Sequence, residues 1–356
     1  MVNPADWPFT VGDSHRTINY IARGVGQAAT SGDRRNYLVT AGSGGGKTHT
    51  LDAIASSLSR SHRQVLVLRP TLLGVGTYAD LLYESLRSHD PDLADRAVRT
   101  ASSWVSLEDL IAETVSSRPT VLVLDDFDRL FARIERVAHG RLRGWLDQAV
   151  NVTVVASAET TTNRASRSRR PWPWRSMFDI TDLASLSLDD VADLVRAEAK
   201  KADRDDGVAR PTQPWRHREI VDLYSRLGGN PRVWTIVAPH LVRSGRMDTP
   251  LPAVFDQLTP YYLPRLQALS PLSSRLVVAL ARAASPLTVT ELAKQVRLAH
   301  QNTAAALSRL AHADWVIQQK PAADDDQRRR LYSVTEPSMR EFIRHWDLRS
   351  ATARVG

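Results

Sequence analysis

The chain has 356 residues, 42% of them hydrophobic, enough to bury the cores of two or three domains. Its 47 lysines and arginines outnumber 39 acidic residues, and the formal net charge of +8 favours a polyanionic partner such as nucleic acid. The absence of cysteine excludes disulfides, thiolate nucleophiles and cysteine zinc sites and fits the cytoplasm; no apolar run is long enough for a membrane span, and Met1–Phe9 lacks the pattern of a secretory signal.

The first two-thirds alternate short, fully apolar runs with helical patterns. This predicts an α/β unit, spanning 1–180, around a parallel sheet covered on both faces. Strands are expected at 37–40, 64–68, 121–124, 152–156 and 177–180, with helices among others at 78–87, 107–114 and 129–137.

Between the first strand and a helix over 49–58 lies Ala41-Gly42-Ser43-Gly44-Gly45-Gly46-Lys47-Thr48. It follows the pattern G-x-x-x-x-G-K-[ST], with Ala41 in place of the first glycine. Such a loop wraps its backbone N–H groups around phosphates at the positive end of the following helix. Lys47 is expected to reach the β- and γ-phosphates and Thr48 to ligate Mg²⁺. A merely flexible Gly/Ser loop would need neither the flanking strand and helix nor the Lys-Thr ending.

The run 121–124 ends in Asp125-Asp126. The carboxyl end of a strand in an open parallel sheet faces the ligand crevice, so Asp125 is expected to hold the Mg²⁺ shell. Asp126 would orient the attacking water, although glutamate is common there in related ATPases; Asp128 is a weaker candidate or a helix cap. No Asn-Lys-x-Asp motif for reading guanine occurs, so ATP and its product ADP are preferred to the guanine nucleotides. After strand 152–156 come Ser157 and Thr160, either of which would touch the γ-phosphate or simply end the strand. The arginine-rich stretch 164–175 follows. Within it Arg170 and Arg175 are candidates to complete a neighbouring protomer's site, and the same cluster fits DNA phosphates or a solvated loop.

From Ser187, a serine cap with an acidic first turn, the pattern turns helical, and 181–250 reads as a small helical lid. A polar insert at 200–218 precedes a helix at 218–227. Next comes Gly228-Gly229-Asn230-Pro231-Arg232, opening a helix at 233–242. Pro231 and Arg232 at that helix start could contact phosphates from the lid side, or the motif is a plain corner between helices. Residues 249–252 look like a linker.

The last unit, 255–346, shows helices at 273–284, from 288 on a Thr288–Glu291 capping box, and at 301–313, then strands at 315–318 and 330–334, before a tail at 347–356. Three helices and a hairpin predict a winged helix, whose third helix enters the major groove while the wing touches the backbone. Gln301, Asn302, Thr303 and Arg309 are expected to face outward, and Arg328, Arg329 and Arg330 to line the wing. Such side chains read adenine or grip guanine and phosphate. Asp324, Asp325 and Asp326 at the wing tip would repel phosphate, and winged helices also bind proteins.

Taken together, 41–48, 121–126, 228–232 and the segment Pro8-Phe9-Thr10-Val11-Gly12 resemble the AAA+/STAND division of P-loop ATPases. The closest group is the origin-recognition ATPases and the archaeal-type ATPases with a Gly-Gly-Asn-Pro lid motif. The resemblance implies that Phe9, Val11 and Gly12 lie near the adenine, although Gly12-Asp13 stands where that family has Gly-Arg. It also implies a nucleotide-controlled switch, often a homo-oligomer or part of a larger ATPase assembly. Two readings stand: an ATPase that binds DNA through its winged helix, or a signalling ATPase whose winged helix contacts protein.

Overall fold

The computed structural model describes residues 13–32, 35–100, 104–149, 151–159, 174–206, 217–244, 251–320 and 329–352. The chain divides into two compact units, Met1–Ala184 and Ser185–Gly356.

The first unit is built on five parallel strands: β1 (Asn36–Ala41), β2 (Leu66–Leu68), β3 (Thr120–Leu124), β4 (Val152–Glu159) and β5 (Phe178–Asp182). Their spatial order is β2-β3-β4-β1-β5. Alternate residues serve opposite faces, as the pleat requires. Leu38, Leu122, Leu124, Val154 and Ala156 enter one core layer, whereas Tyr37, Val39, Val121, Val123 and Val155 enter the other. Because both faces are covered, these strands read in sequence as unbroken apolar runs.

The helices are α1 (Asp13–Ser31), α2 (Lys47–Ser61), α3 (Tyr78–Arg87), α4 (Pro91–Thr100), α5 (Trp104–Ser116), α6 (Phe127–Arg133) and α7 (Arg136–Gln148). Here α6 and α7 replace the single helix expected at 129–137. The chain leaves helical geometry at Ile134, whose β-branched side chain is buried in the core. The strand expected to begin at Gln64 begins at Leu66.

The second unit opens with α8 (Leu188–Asp206), capped by reciprocal bonds between Ser187 and Asp190. Residues 200–206, read as the start of a polar insert, belong to this helix. Then come α9 (His217–Leu227), α10 (Pro231–Ser244) and α11 (Leu251–Gln267). The residues 251 and 252, expected in a linker, form the first turn of α11, which carries Pro260 and Pro264 in its interior. Three more helices, α12 (Pro271–Arg282), α13 (Val289–Val296) and α14 (His300–His312), adjoin a small antiparallel sheet. Its strands are β6 (Leu287–Thr288), β7 (Val316–Gln319) and β8 (Leu331–Val334), ordered β6-β8-β7. This is a winged helix with one strand more than the expected hairpin. The Thr288–Glu291 capping box is present. The final helix, α15 (Pro337–Thr352), runs through residues expected to form a tail. Among the described residues no helix is long and apolar enough to cross a membrane.

Candidate functional site

The glycine-rich loop joins β1 to α2. Gly46 caps α2 at φ 88°, a left-handed conformation that glycine adopts without strain. This turns the chain so that α2 begins at Lys47 with its N-terminus behind the loop, the arrangement that favours an anion. Lys47 is 8% exposed, and its Nζ donates to the carbonyls of Ala41 and Gly42 at 3.2 and 3.3 Å. Gly42, Ser43, Gly44, Gly45 and Gly46 form the loop around it.

Strand order brings the acidic pair to the same place. β4 lies between β1 and β3, with Val39 opposite Ser157 and Leu124 opposite Ala156. Ser157 therefore stands beside Asp125. Thr48 Oγ1 donates to Asp125 Oδ2 at 2.6 Å. The other oxygen, Oδ1, receives Ser157 Oγ at 2.5 Å and the Asp126 N–H at 3.1 Å. Ser157 is fully buried and its Oγ also accepts the Asp126 N–H at 2.9 Å. Its hydroxyl is thus committed to the two aspartates.

Thr48 and Asp125 offer hard oxygen donors at one point. This fits Mg²⁺, which takes one or two protein ligands and fills its octahedron with water and phosphate. The loop N–H groups, Lys47 and the α2 N-terminus fit the phosphates of a nucleotide.

Asp126 sits at φ 49°, ψ 48°, a left-handed conformation that aspartate tolerates better than most residues. Arg129, one turn along α6, lies 3.4 Å from its carboxylate and 3.2 Å from Glu159 at the end of β4. Sequence reasoning missed Arg129; the i, i+3 spacing after Asp126 was the available signal. Burial holds the Asp128 carboxyl above the usual carboxylate range, with the charges of Glu159 and Asp126 adding to it. A cleft of ≈ 570 Å³ adjoins the pair, lined by Arg69, Leu73, Asp125, Asp126, Arg129 and Arg133.

Several expected residues fall elsewhere. Phe9, Val11, Gly12, Thr160, Arg170 and Arg328 lie outside the described residues, as do the side chain of Arg175 and the wing tip with Asp324, Asp325 and Asp326. Arg175 itself opens a short 3₁₀ turn before β5.

The Gly228–Arg232 motif forms a tight corner. A Cβ on Gly229 would lie 2.1 Å from the Leu186 carbonyl oxygen, so only glycine fits there. Asn230 caps α10 by accepting the Arg232 N–H at 2.9 Å, Pro231 occupies the first helical position, and Arg232 is exposed.

On the winged helix, Gln301, Asn302, Arg309, Arg329 and Arg330 are exposed. Asn302 and Arg309 share a face of α14, two turns apart. Thr303 does not face outward. It is fully buried and its Oγ1 donates to the Ala299 carbonyl at 3.1 Å. Helical spacing places it in register with buried Ala306, Leu307 and Leu310, so it belongs to the core.

No family model and no curated protein matches the chain. Solved structures do. The ORC2 protein of Aeropyrum pernix, in its ADPNP–ADP complexes, aligns with a TM-score of 0.66 at 14% identity over 98% of this chain and 97% of that one. A Walker-type ATPase of Pyrococcus abyssi aligns with a TM-score of 0.62 at 13% identity over 93% and 95% of the two chains. The ADP form of the Aeropyrum protein gives 0.53 at 13% identity over 94% and 93%. The chain shares its fold with these origin-recognition and Walker-type proteins.

Proposed function

We propose that this chain, with its AAA+ P-loop fold, is an ATP-binding switch that hydrolyses ATP and binds duplex DNA through its winged helix. The observation that carries this reading is the 2.6 Å contact between Thr48 and Asp125, beside the Lys47 loop. It supports a magnesium–nucleotide site on four counts: strand order, loop geometry, charge and donor chemistry all meet there. The Aeropyrum pernix relative in fold was solved with ADPNP and ADP, which accords with ATP here.

On this reading the loop 42–46 wraps the phosphates and Lys47 turns from its carbonyls to the β- and γ-oxygens. Thr48 and Asp125 would hold magnesium, whose positive charge would offset that of the phosphates. Asp126 orients a water whose oxygen bonds to the γ-phosphorus while the bond to the β-γ bridging oxygen breaks. ADP leaves with that electron pair and the water's proton passes to the phosphate. Ser157 holds Asp125 in place. Phe9, Val11 and Gly12 are proposed near the adenine, Arg232 against the nucleotide, and Arg175 as the residue donated to a neighbour in a homo-oligomer or larger assembly.

DNA binding is supported by the exposed set Gln301, Asn302, Arg309, Arg329 and Arg330 and by the net charge of +8. The test is duplex affinity at physiological salt with and without Mg-ATP, in the wild type and Lys47→Ala. The wild type should bind more tightly with ATP and lose this gain in the variant. A dissociation constant weaker than about 10⁻⁴ M in both conditions would sink the DNA reading. The signalling alternative draws on the Asp126–Arg129 pair, which suits a nucleotide held rather than spent. It predicts a monomer with tightly held nucleotide and little DNA affinity.

A further inference from the structure

Within the second unit, the Gly228–Arg232 corner is joined to the base of the wing by continuous contacts. While the Asn230 Oδ1 caps α10, its Nδ2 donates to Glu336 Oε1 at 2.6 Å. Glu336, just before α15, receives three more donors. These are Tyr262 Oη at 2.7 Å, Ser338 Oγ at 3.3 Å and, on its other oxygen, Arg265 Nη1 at 3.2 Å. Arg232 stacks over the Tyr261 ring, 5.1 Å from its centroid. Arg265 lies over the same ring at 4.9 Å and over Trp315 at 5.4 Å. Trp315 joins α14 to β7: its N–H donates to the Leu310 carbonyl at 2.9 Å and its carbonyl accepts the Thr335 N–H at 3.1 Å.

The result is a ladder, Arg232–Tyr261–Arg265–Trp315, keyed by one carboxylate. Glu336 is 17% exposed and Tyr262 is fully buried. A carboxylate is tolerated there because four donors converge on it, and such a network is stiff when every member is satisfied. Burial, with the charge of Glu336, pushes the Tyr262 phenol far up, so that it remains a donor at every ordinary pH. Stacking of guanidinium on aromatic rings strengthens each rung, most where the charge is desolvated.

We propose that Glu336 is a positioning residue that fastens Arg232 to the base of the wing, so that whatever fixes Arg232 also fixes β7 and the end of α14. The role of nucleotide in this coupling rests on the reading above, in which Arg232 meets the nucleotide.

The test is hydrogen exchange on the full chain, with and without saturating Mg-ATP, in the wild type, Glu336→Gln, Glu336→Asp, Arg232→Ala and the double variant Arg232→Ala/Glu336→Gln. In the wild type, Mg-ATP should slow exchange at Val316–Gln319 and Leu331–Val334 by at least about twofold, the low end of the energies such networks carry. The Glu336→Gln side chain turns an NH₂ toward converging donors, so this variant should lose the slowing. Arg232→Ala should abolish it too, the double variant should match either single one, and Glu336→Asp should restore part. A Glu336→Gln protein that keeps the wild-type response at the wing overturns the proposal. So does a wild type protected at 42–48 by ATP yet unchanged at the wing.

If ATP protects neither region, the nucleotide reading fails, and the ladder is then judged without ligand. Arg232→Ala should speed exchange at the wing, and unchanged exchange there overturns the coupling. Should Glu336→Gln fail to fold, Tyr261→Leu removes a half-buried rung and answers the same question.

Discussion

Ser157→Ala separates two roles that a serine at a strand end can play. The hydroxyl donates to Asp125 at 2.5 Å and accepts the Asp126 N–H at 2.9 Å, in a fully buried position. A bond to a charged group contributes about 1.5–3 kcal/mol and a neutral one about 1 kcal/mol. The Asp126 N–H keeps Asp125 Oδ1 at 3.1 Å, so the carboxylate is the group left short. A loss of about 2–3 kcal/mol in urea unfolding follows. With Asp125 free to turn, the magnesium concentration needed for ATP binding should rise about 10- to 100-fold, the usual cost of removing a group that orients a metal ligand. A serine that touched the γ-phosphate would behave otherwise: hydrolysis would fall while unfolding and magnesium dependence stayed put. Unfolding within about 0.5 kcal/mol of the wild type, with an unchanged magnesium midpoint, would refute the positioning role.

Lys47→Ala should abolish ATP binding or hydrolysis while leaving the fold intact, and undiminished binding by calorimetry would contradict the nucleotide site. Arg129→Ala should raise turnover by releasing Asp126. The pair is 59% and 39% exposed, so stability should change by no more than about 1 kcal/mol, and a lower turnover tells against the restraint. Asp128 has a raised pKa in the fold and a buried Oδ1 with no partner. Its contribution is therefore favourable at low pH and is lost as pH rises through the raised folded value. Asp128→Asn should then be the more stable protein at pH 7, with the gap closing below about pH 4; a variant less stable than wild type at pH 7 would contradict this. Arg309→Ala should reduce the slope of log affinity against log salt for duplex DNA by about 1 if the side chain meets a phosphate, and an unchanged slope removes it from the interface.

Much of this was legible because the relevant signals are local. Strands buried on both faces leave unbroken apolar runs, and the Thr288–Glu291 box announces α13 in four residues. The Lys47–Thr48 ending and the Asp125–Asp126 pair marked the candidate site. What escaped notice depends on distance in sequence. The commitment of Ser157 arises because β4 inserts between β1 and β3. Glu336, to which Asn230 donates, lies 106 residues away. Pro260 and Pro264 hid α11, since proline disfavours a helix interior and tertiary packing had to override it. Thr303 is different: its spacing from Ala306, Leu307 and Leu310 was visible and marked it for the core.

The two polar clusters differ in stiffness, and on the proposed reading this difference shapes the switch. Arg129 and Asp126 meet near the surface, where ion pairs are weak and screened by salt, and Glu159 competes for the same guanidinium. Such a pair restrains Asp126 only weakly, and it sets how much negative charge Asp126 presents to a water. Turnover should therefore respond to any anion that draws Arg129 away. Glu336 is the opposite case. It is largely buried, it receives four donors, and removing the charge would leave those donors unpaired. A soft contact at the carboxylates and a hard one at the wing divide the labour. On the proposed reading, the rate at which ATP is spent would be adjustable while the link from Arg232 to the wing would not, so conformational signal would survive even where hydrolysis is slow.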